Sequence, residues 1–125
     1  MPRKRILIID DEDDIREVAA LALEVAGDFE VVTADGGRAG LTAAASQHPD
    51  LILLDVMMPE LDGPSTFQEL RKSETTRSIP VIFLTAKVQT ADRRRLSDLG
   101  ARGILAKPFD PMRLAADIAS IAGWA

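Results

Sequence analysis

Leu51-Ile52-Leu53-Leu54-Asp55 is four apolar residues in succession that end on a carboxylate. Such a run, with no polar alternation, reads as a strand buried on both faces of a parallel sheet. Three other runs end in the same way. Ile6-Leu7-Ile8-Ile9 leads into Asp10-Asp11, Val81-Ile82-Phe83-Leu84 into Thr85, and Gly103-Ile104-Leu105-Ala106 into Lys107. In open α/β sheets the working site lies just beyond the carboxyl ends of the strands. Three carboxylates, a hydroxyl and an ammonium are therefore expected to converge on one edge of one sheet. That set suits a divalent cation and a phosphoryl group.

Working outward, strand and helix patterns alternate along the whole chain, which argues an α/β fold with a parallel sheet. The first strand spans about Arg5 to Asp10. The helix after it places Ile15, Val18, Ala22 and Val25 on one face, and Gly27 is its expected stop. A short second strand lies near Glu30 to Thr33, and an Ala-rich helix runs from about Gly37 to Gln47. After the third strand, the loop from Met57 to Gly63 leads to Pro64, suited to the first turn of a third helix carrying Phe67 and Leu70. A polar stretch from Ser73 to Ser78 precedes the fourth strand. A fourth helix is expected roughly between Thr90 and Leu99. Asp110-Pro111 reads as the cap and opening of a fifth helix, with Leu114, Ile118 and Ile121 on one side. Strands 1, 3 and 4 are continuously apolar and should be central, and strands 2 and 5 should be edges. With right-handed crossovers, the order 2-1-3-4-5 satisfies this, a flavodoxin-like doubly wound (βα)5 arrangement.

Composition narrows the classes. A chain of 125 residues fits a single domain spanning residues 1–125, and its 46% hydrophobic content is enough for a core. The absence of Cys excludes disulfides, thiolate metal sites and a Cys nucleophile. The basic start, Arg3-Lys4-Arg5, is followed by too short an apolar stretch for a signal peptide, and five acids arrive at positions 10–14. No run approaches the ~20 apolar residues of a membrane span. A net charge of −5 is the wrong sign for a non-specific nucleic-acid binder. The expectations are a cytoplasmic location, no membrane partner and no direct nucleic-acid contact.

Taken together, Ile9-Asp10-Asp11-Glu12, the segment from Asp55 to Gly63, Leu84-Thr85-Ala86 and Lys107-Pro108-Phe109 resemble the receiver domain of two-component response regulators. The likeness covers nearly all of the chain. Each piece alone is weak, but four in order at strand ends are specific.

The resemblance implies that Asp55 is the phosphoacceptor, a carboxylate nucleophile forming an aspartyl phosphate. It implies that Asp11 and Asp55 bind Mg²⁺ directly, that Met57 adds its backbone carbonyl, and that Asp10 helps through water. The need for a cation follows from charge, because carboxylates crowded into one site repel unless neutralised. Mg²⁺ prefers oxygen ligands and is held by one or two carboxylates. Asp13 and Asp14, and largely Glu12, read as acids favoured at the positive end of a helix dipole. Thr85 and Lys107 are expected to engage the phosphoryl oxygens, where catalysis is mostly positioning and electrostatic stabilisation. In the family the Lys107-Pro108 bond is cis. His48 reads as a surface residue, so the donor histidine is expected from a partner histidine kinase or histidine phosphotransfer protein. Arg93-Arg94-Arg95 reads as a solvated helix face or part of a protein-binding surface.

The family also implies a switch in which Thr85 moves inward on phosphorylation and a strand-5 residue follows it. That residue is aromatic in the family and is Ile104 here. The face of helix 4, strand 5 and helix 5 then changes its affinity for partners. Arg102-Gly103, Arg113 and Asp117 depart from the charge pattern of members that dimerise on this face. Lys87 and Met57 occupy positions that tune dephosphorylation. The expected function is a phosphorylation-controlled signalling module, not a turnover enzyme. Two alternatives stand beside it: an Asp-nucleophile phosphohydrolase and a receiver-like scaffold that is not phosphorylated. The former usually places its nucleophile after the first strand; the intact set Asp10, Asp11, Asp55, Thr85 and Lys107 argues against the latter.

Overall fold

Five parallel strands form one sheet in the order β2-β1-β3-β4-β5, as the hydrophobic pattern predicts. They are β1 (Arg5–Ile9), β2 (Glu30–Ala34), β3 (Leu51–Asp55), β4 (Val81–Thr85) and β5 (Gly103–Ala106). The helices α1 (Asp13–Val25), α2 (Gly37–Gln47), α3 (Gly63–Lys72), α4 (Thr90–Asp98) and α5 (Leu114–Ala122) fill the crossovers. The computed structural model describes residues 3–86 and 89–124.

Burial explains the strand order. β3 and β4 are buried at every position and β1 at all but its first, whereas β2 and β5 are half-exposed edges. Side chains alternate across the sheet. Ile6, Ile8, Leu51, Leu53, Ile82 and Leu84 point to one side and meet Ala19 and Leu23 of α1 and Leu114 and Ile118 of α5. Leu7, Ile9, Ile52, Leu54 and Phe83 point to the other side, against Ala44 of α2, Phe67 and Leu70 of α3 and Leu96 of α4. Each such side chain withdrawn from water contributes about 1.5–3 kcal/mol before conformational entropy is subtracted. At the amino ends of β1 and β2, Phe29 packs on Trp124 with ring centroids 5.7 Å apart, and Lys4 Nζ lies 5.0 Å from the Trp124 ring.

Three local expectations are corrected. On α1, the residues turned inward are Ile15, Ala19, Ala22 and Leu23, while Val18 and Val25 are exposed along with Leu21. Ala19 and Leu23 are the helix residues fully buried against the sheet. α1 does stop where expected, with Gly27 directly after the cap residue Ala26, but not through a glycine in the left-handed conformation. Asp28 takes that conformation (φ 55°), and the Phe29 N–H returns to the Leu23 carbonyl at 3.1 Å. Gly27 is required for space, since a Cβ there would lie 2.6 Å from the Phe29 ring and 2.8 Å from Ala115 Cβ. Finally, α5 begins at Leu114 and not at Asp110-Pro111. Asp110 accepts the Met112 N–H on Oδ1 (2.9 Å) and the Arg113 N–H on its carbonyl (3.0 Å), closing a separate turn ahead of the helix.

Candidate functional site

The carboxyl ends of β1, β3, β4 and β5 form one edge, and the ladder continues one residue past three of them. The Asp10 N–H donates to the Ala34 carbonyl (3.2 Å), Val56 N–H to Leu84 (3.2 Å) and Lys107 N–H to Thr85 (2.9 Å). The backbones that carry Asp10, Asp55 and Lys107 are therefore as fixed as the sheet itself. In register, Ile9 pairs with Leu54, Asp55 with Leu84 and Thr85 with Ala106. Strict alternation then sends the side chains of Asp10, Asp55 and Lys107 to the same face.

There they meet. Lys107 Nζ lies 3.0 Å from Asp10 Oδ2, 3.2 Å from Asp55 Oδ1 and 3.2 Å from Glu12 Oε1. The side chains of Asp10, Asp55 and Lys107 are 1%, 4% and 12% exposed, whereas that of Glu12 is 60% exposed. Glu12 is a residue whose position sequence reading misjudged. It caps α1 by position but makes no side-chain cap bond. Its carboxylate instead crosses to Lys107. The available signal was its place directly after Asp10-Asp11, which puts it at the same strand end. Asp13 and Asp14 do occupy the first turn of α1, and Asp13 pairs with Arg16. Arg16 also donates to the Asp10 carbonyl at 2.7 Å, and Asp10 Oδ1 accepts the Glu12 N–H at 2.9 Å. These two bonds fix the turn between β1 and α1.

The electrostatics follow from burial. Asp55 is pushed up from 3.8 to about 6, chiefly by loss of water around its carboxylate and then by the charge of Asp10; Lys107 pulls it back in part. Burial of Lys107 works against its charge, but contacts with Asp10 and Asp55 outweigh that and hold its pKa above the usual lysine value. Asp55 Oδ2 is buried and has no hydrogen-bond partner among the described residues. Such an orphaned oxygen is costly unless something binds it.

Oxygens of Asp10, Asp11, Glu12 and Asp55 lie within 4.8 Å of one another, a group that could hold a metal ion. An all-oxygen, carboxylate-rich donor set fits a hard divalent cation, and the unpartnered Asp55 oxygen is a ready ligand. Met57 is exposed at the mouth of this group, two residues beyond Asp55. The loop carrying it is pinned where the Gly63 N–H donates to the Val56 carbonyl (2.9 Å), and Asp62 caps α3 by accepting the Ser65 N–H (2.8 Å).

Thr85 stands at the same sheet edge, buried, but by alternation its side chain belongs to the opposite face. It lines a cleft of about 100 Å³ with Val56, Met57, Pro64, Arg95 and Leu96. Ile104 shares that face, paired with Phe83 and half-buried. It lines a hollow of about 450 Å³ between α4 and β5, together with Arg93, Arg94 and Arg102. The Lys107-Pro108 peptide is cis. His48 is exposed and closes α2 with φ 49°, as a surface residue should. Arg93, Arg94 and Arg95 lie on the exposed face of α4. Lys87 lies outside the described residues. Among the described residues, no helix is long and apolar enough to cross a membrane.

The sequence matches the family model of the response regulator receiver domain over residues 6–119, and the chain belongs to this family. It is 46% identical over 119 residues to the probable transcriptional regulator ycf27 of Cyanophora paradoxa, covering 95% of this chain and 48% of that protein. It is 42% identical to RpaA of Synechocystis, named a DNA-binding dual master transcriptional regulator, with 94% and 48% covered. The chain thus spans about half the length of the curated relatives it matches. Among solved structures, chemotaxis protein CheY4 of Vibrio cholerae is similar with a TM-score of 0.88 and 30% identity, covering 95% of this chain and 98% of that one. The fold is the flavodoxin-like receiver fold. As a receiver domain, the chain is a component of two-component signalling, a class of switches rather than turnover enzymes.

Proposed function

We propose that this chain is a single receiver domain in which Asp55 accepts a phosphoryl group from the phosphohistidine of a partner kinase or phosphotransfer protein. The P–N bond to the donor imidazole breaks as a bond from phosphorus to an Asp55 carboxylate oxygen forms, and the donor histidine leaves as neutral imidazole after taking up a proton. The observation that carries this reading is Asp55 itself, a buried carboxylate with one oxygen against Lys107 and the other unpartnered. The residues fitted to hold Mg²⁺ are Asp11, Asp55 and the Met57 carbonyl, with Asp10 acting through water. When bound, the ion neutralises charge where an anionic group must approach a carboxylate.

In this reading Lys107, anchored to Asp10, places its positive charge where phosphoryl oxygens come to lie. Thr85 offers its hydroxyl from the next strand end. Because Thr85 and Ile104 share one face of the sheet, movement at Thr85 is transmitted toward α4 and β5, and the α4-β5-α5 surface changes its affinity for a downstream protein. DNA binding belongs to the name of one relative and is not proposed for this chain, whose charge is acidic. The test is incubation of the protein with Mg²⁺ and acetyl phosphate, followed by intact mass and acid-quench analysis. One labile phosphoryl group is expected, absent in Asp55→Asn; a phosphoryl group retained by Asp55→Asn overturns the assignment.

A further inference from the structure

An ammonium has three N–H donors, and the one on Lys107 faces three carboxylates, Asp10, Asp55 and Glu12, all within 3.2 Å. Of the three, the Glu12 contact is the directed hydrogen bond, whereas those to Asp10 and Asp55 are ion pairs and Asp10 Oδ2 accepts no hydrogen bond among the described residues. A phosphoryl oxygen that takes an N–H of Lys107 therefore competes first with Glu12. Asp10 cannot yield cheaply: it is buried, it is rooted in the sheet, and losing Lys107 would leave it an uncompensated charge. Asp55 passes its charge to the phosphoryl oxygens when it is modified, so its ion pair is carried over to them. Glu12 can yield. It is exposed, it stands outside the strand ladder, and water replaces its lost partner at little cost. Its contact with Lys107 is nevertheless a formed hydrogen bond of 3.2 Å.

We propose that Glu12 is a positioning residue for Lys107, a built-in anion that occupies the ammonium in the resting state and competes with the incoming phosphoryl group. The inference rests on the reading of Asp55 as phosphoacceptor and deepens it. Glu12 holds Lys107 toward the mouth of the site, and modification of Asp55 transfers that hydrogen bond from Glu12 to a phosphoryl oxygen. This role differs from that of a cation ligand, which Glu12 could also fill by distance.

The experiment compares the intact protein with Glu12→Gln and Glu12→Asp. Beryllofluoride, in the presence of saturating Mg²⁺, serves as the phosphoryl probe, and Mg²⁺ alone is titrated separately, both by NMR. Removing an exposed competing ion pair is expected to tighten beryllofluoride binding by about two- to fivefold. Glu12→Asp keeps the charge but is one methylene too short to hold Lys107, and it is expected to behave like Glu12→Gln. Mg²⁺ affinity should change by less than about twofold. Equal beryllofluoride affinity in all three proteins overturns the inference, and so does a large loss of Mg²⁺ affinity in Glu12→Gln. If Glu12→Asp matches the parent while Glu12→Gln does not, general repulsion at the mouth replaces the specific contact and the inference fails. Failure of the parent itself to bind beryllofluoride would instead remove the reading of Asp55.

Discussion

The ammonium of Lys107 lies 3.2 Å from Oδ1 of Asp55, so a residue just past β5 reaches across the end of β4 to one at the end of β3. Among the described residues, Lys107 is the cation paired with these two buried acids, Asp10 and Asp55, which the sheet register forces side by side. One positive group there serves several negative ones, and the stability of the site depends on that group or on a divalent substitute.

Replacing Lys107 by Met keeps the stem and deletes the charge. Asp10 and Asp55 are then left buried without compensation, and in metal-free buffer at neutral pH the protein should lose roughly 3 kcal/mol of stability. Mg²⁺ should restore part of the loss. Urea unfolding with and without the ion measures both effects.

For Asp55 the sign is opposite to that of most carboxylates. Its folded pKa is raised from 3.8 to about 6, so between these values the native state holds more protons than the unfolded one. The contribution of this group to stability is fully present below about pH 3.8 and is lost as pH rises through about 6. Lys107, also raised, contributes fully below 10.5 and is lost only at more alkaline pH, so it adds no slope in this window. Asp55→Asn should accordingly stabilise the metal-free protein by about 1–3 kcal/mol at pH 7, and the gain should vanish near pH 4. A gain that does not depend on pH would contradict this account.

Gly63→Ala probes the floor of the site. A Cβ at Gly63 would fall 2.4 Å from the Asp55 carbonyl oxygen and 2.8 Å from Val56 Cα, both backbone atoms that cannot swing aside. Overpacking of this kind costs about 1–3 kcal/mol. Thermal unfolding should show the loss, and amide shifts should move at Asp55 and Val56.

The strands, their order and the residues at their ends were legible because burial on both faces demands unbroken apolar runs. Polar residues are tolerated only where such a run leaves the core, so Asp10, Asp55, Thr85 and Lys107 marked the edge of the sheet. What the sequence hid was decided by contacts between elements. Val18 and Val25 are apolar yet exposed, because α1 turns Ala19 and Leu23 against the sheet instead, a choice that counting hydrophobic residues does not make. Asp110-Pro111 carries the signature of a helix start, but a tight turn claims the same Asp oxygen first. Glu12 looked like a helix-dipole acid because its partner, Lys107, is brought near only by the β5 crossover. In each case local chemistry allowed two outcomes and tertiary packing chose.

The Phe29–Trp124 pair lies at the amino ends of the strands, across the whole thickness of the domain from the acidic edge. Trp124 is the only tryptophan and the chain has no tyrosine. Ultraviolet emission from this protein consequently reports a single place, one that reads global unfolding cleanly and is blind to ions entering the far end. Optical titration of magnesium would need an indole introduced near Met57, with the native one silenced.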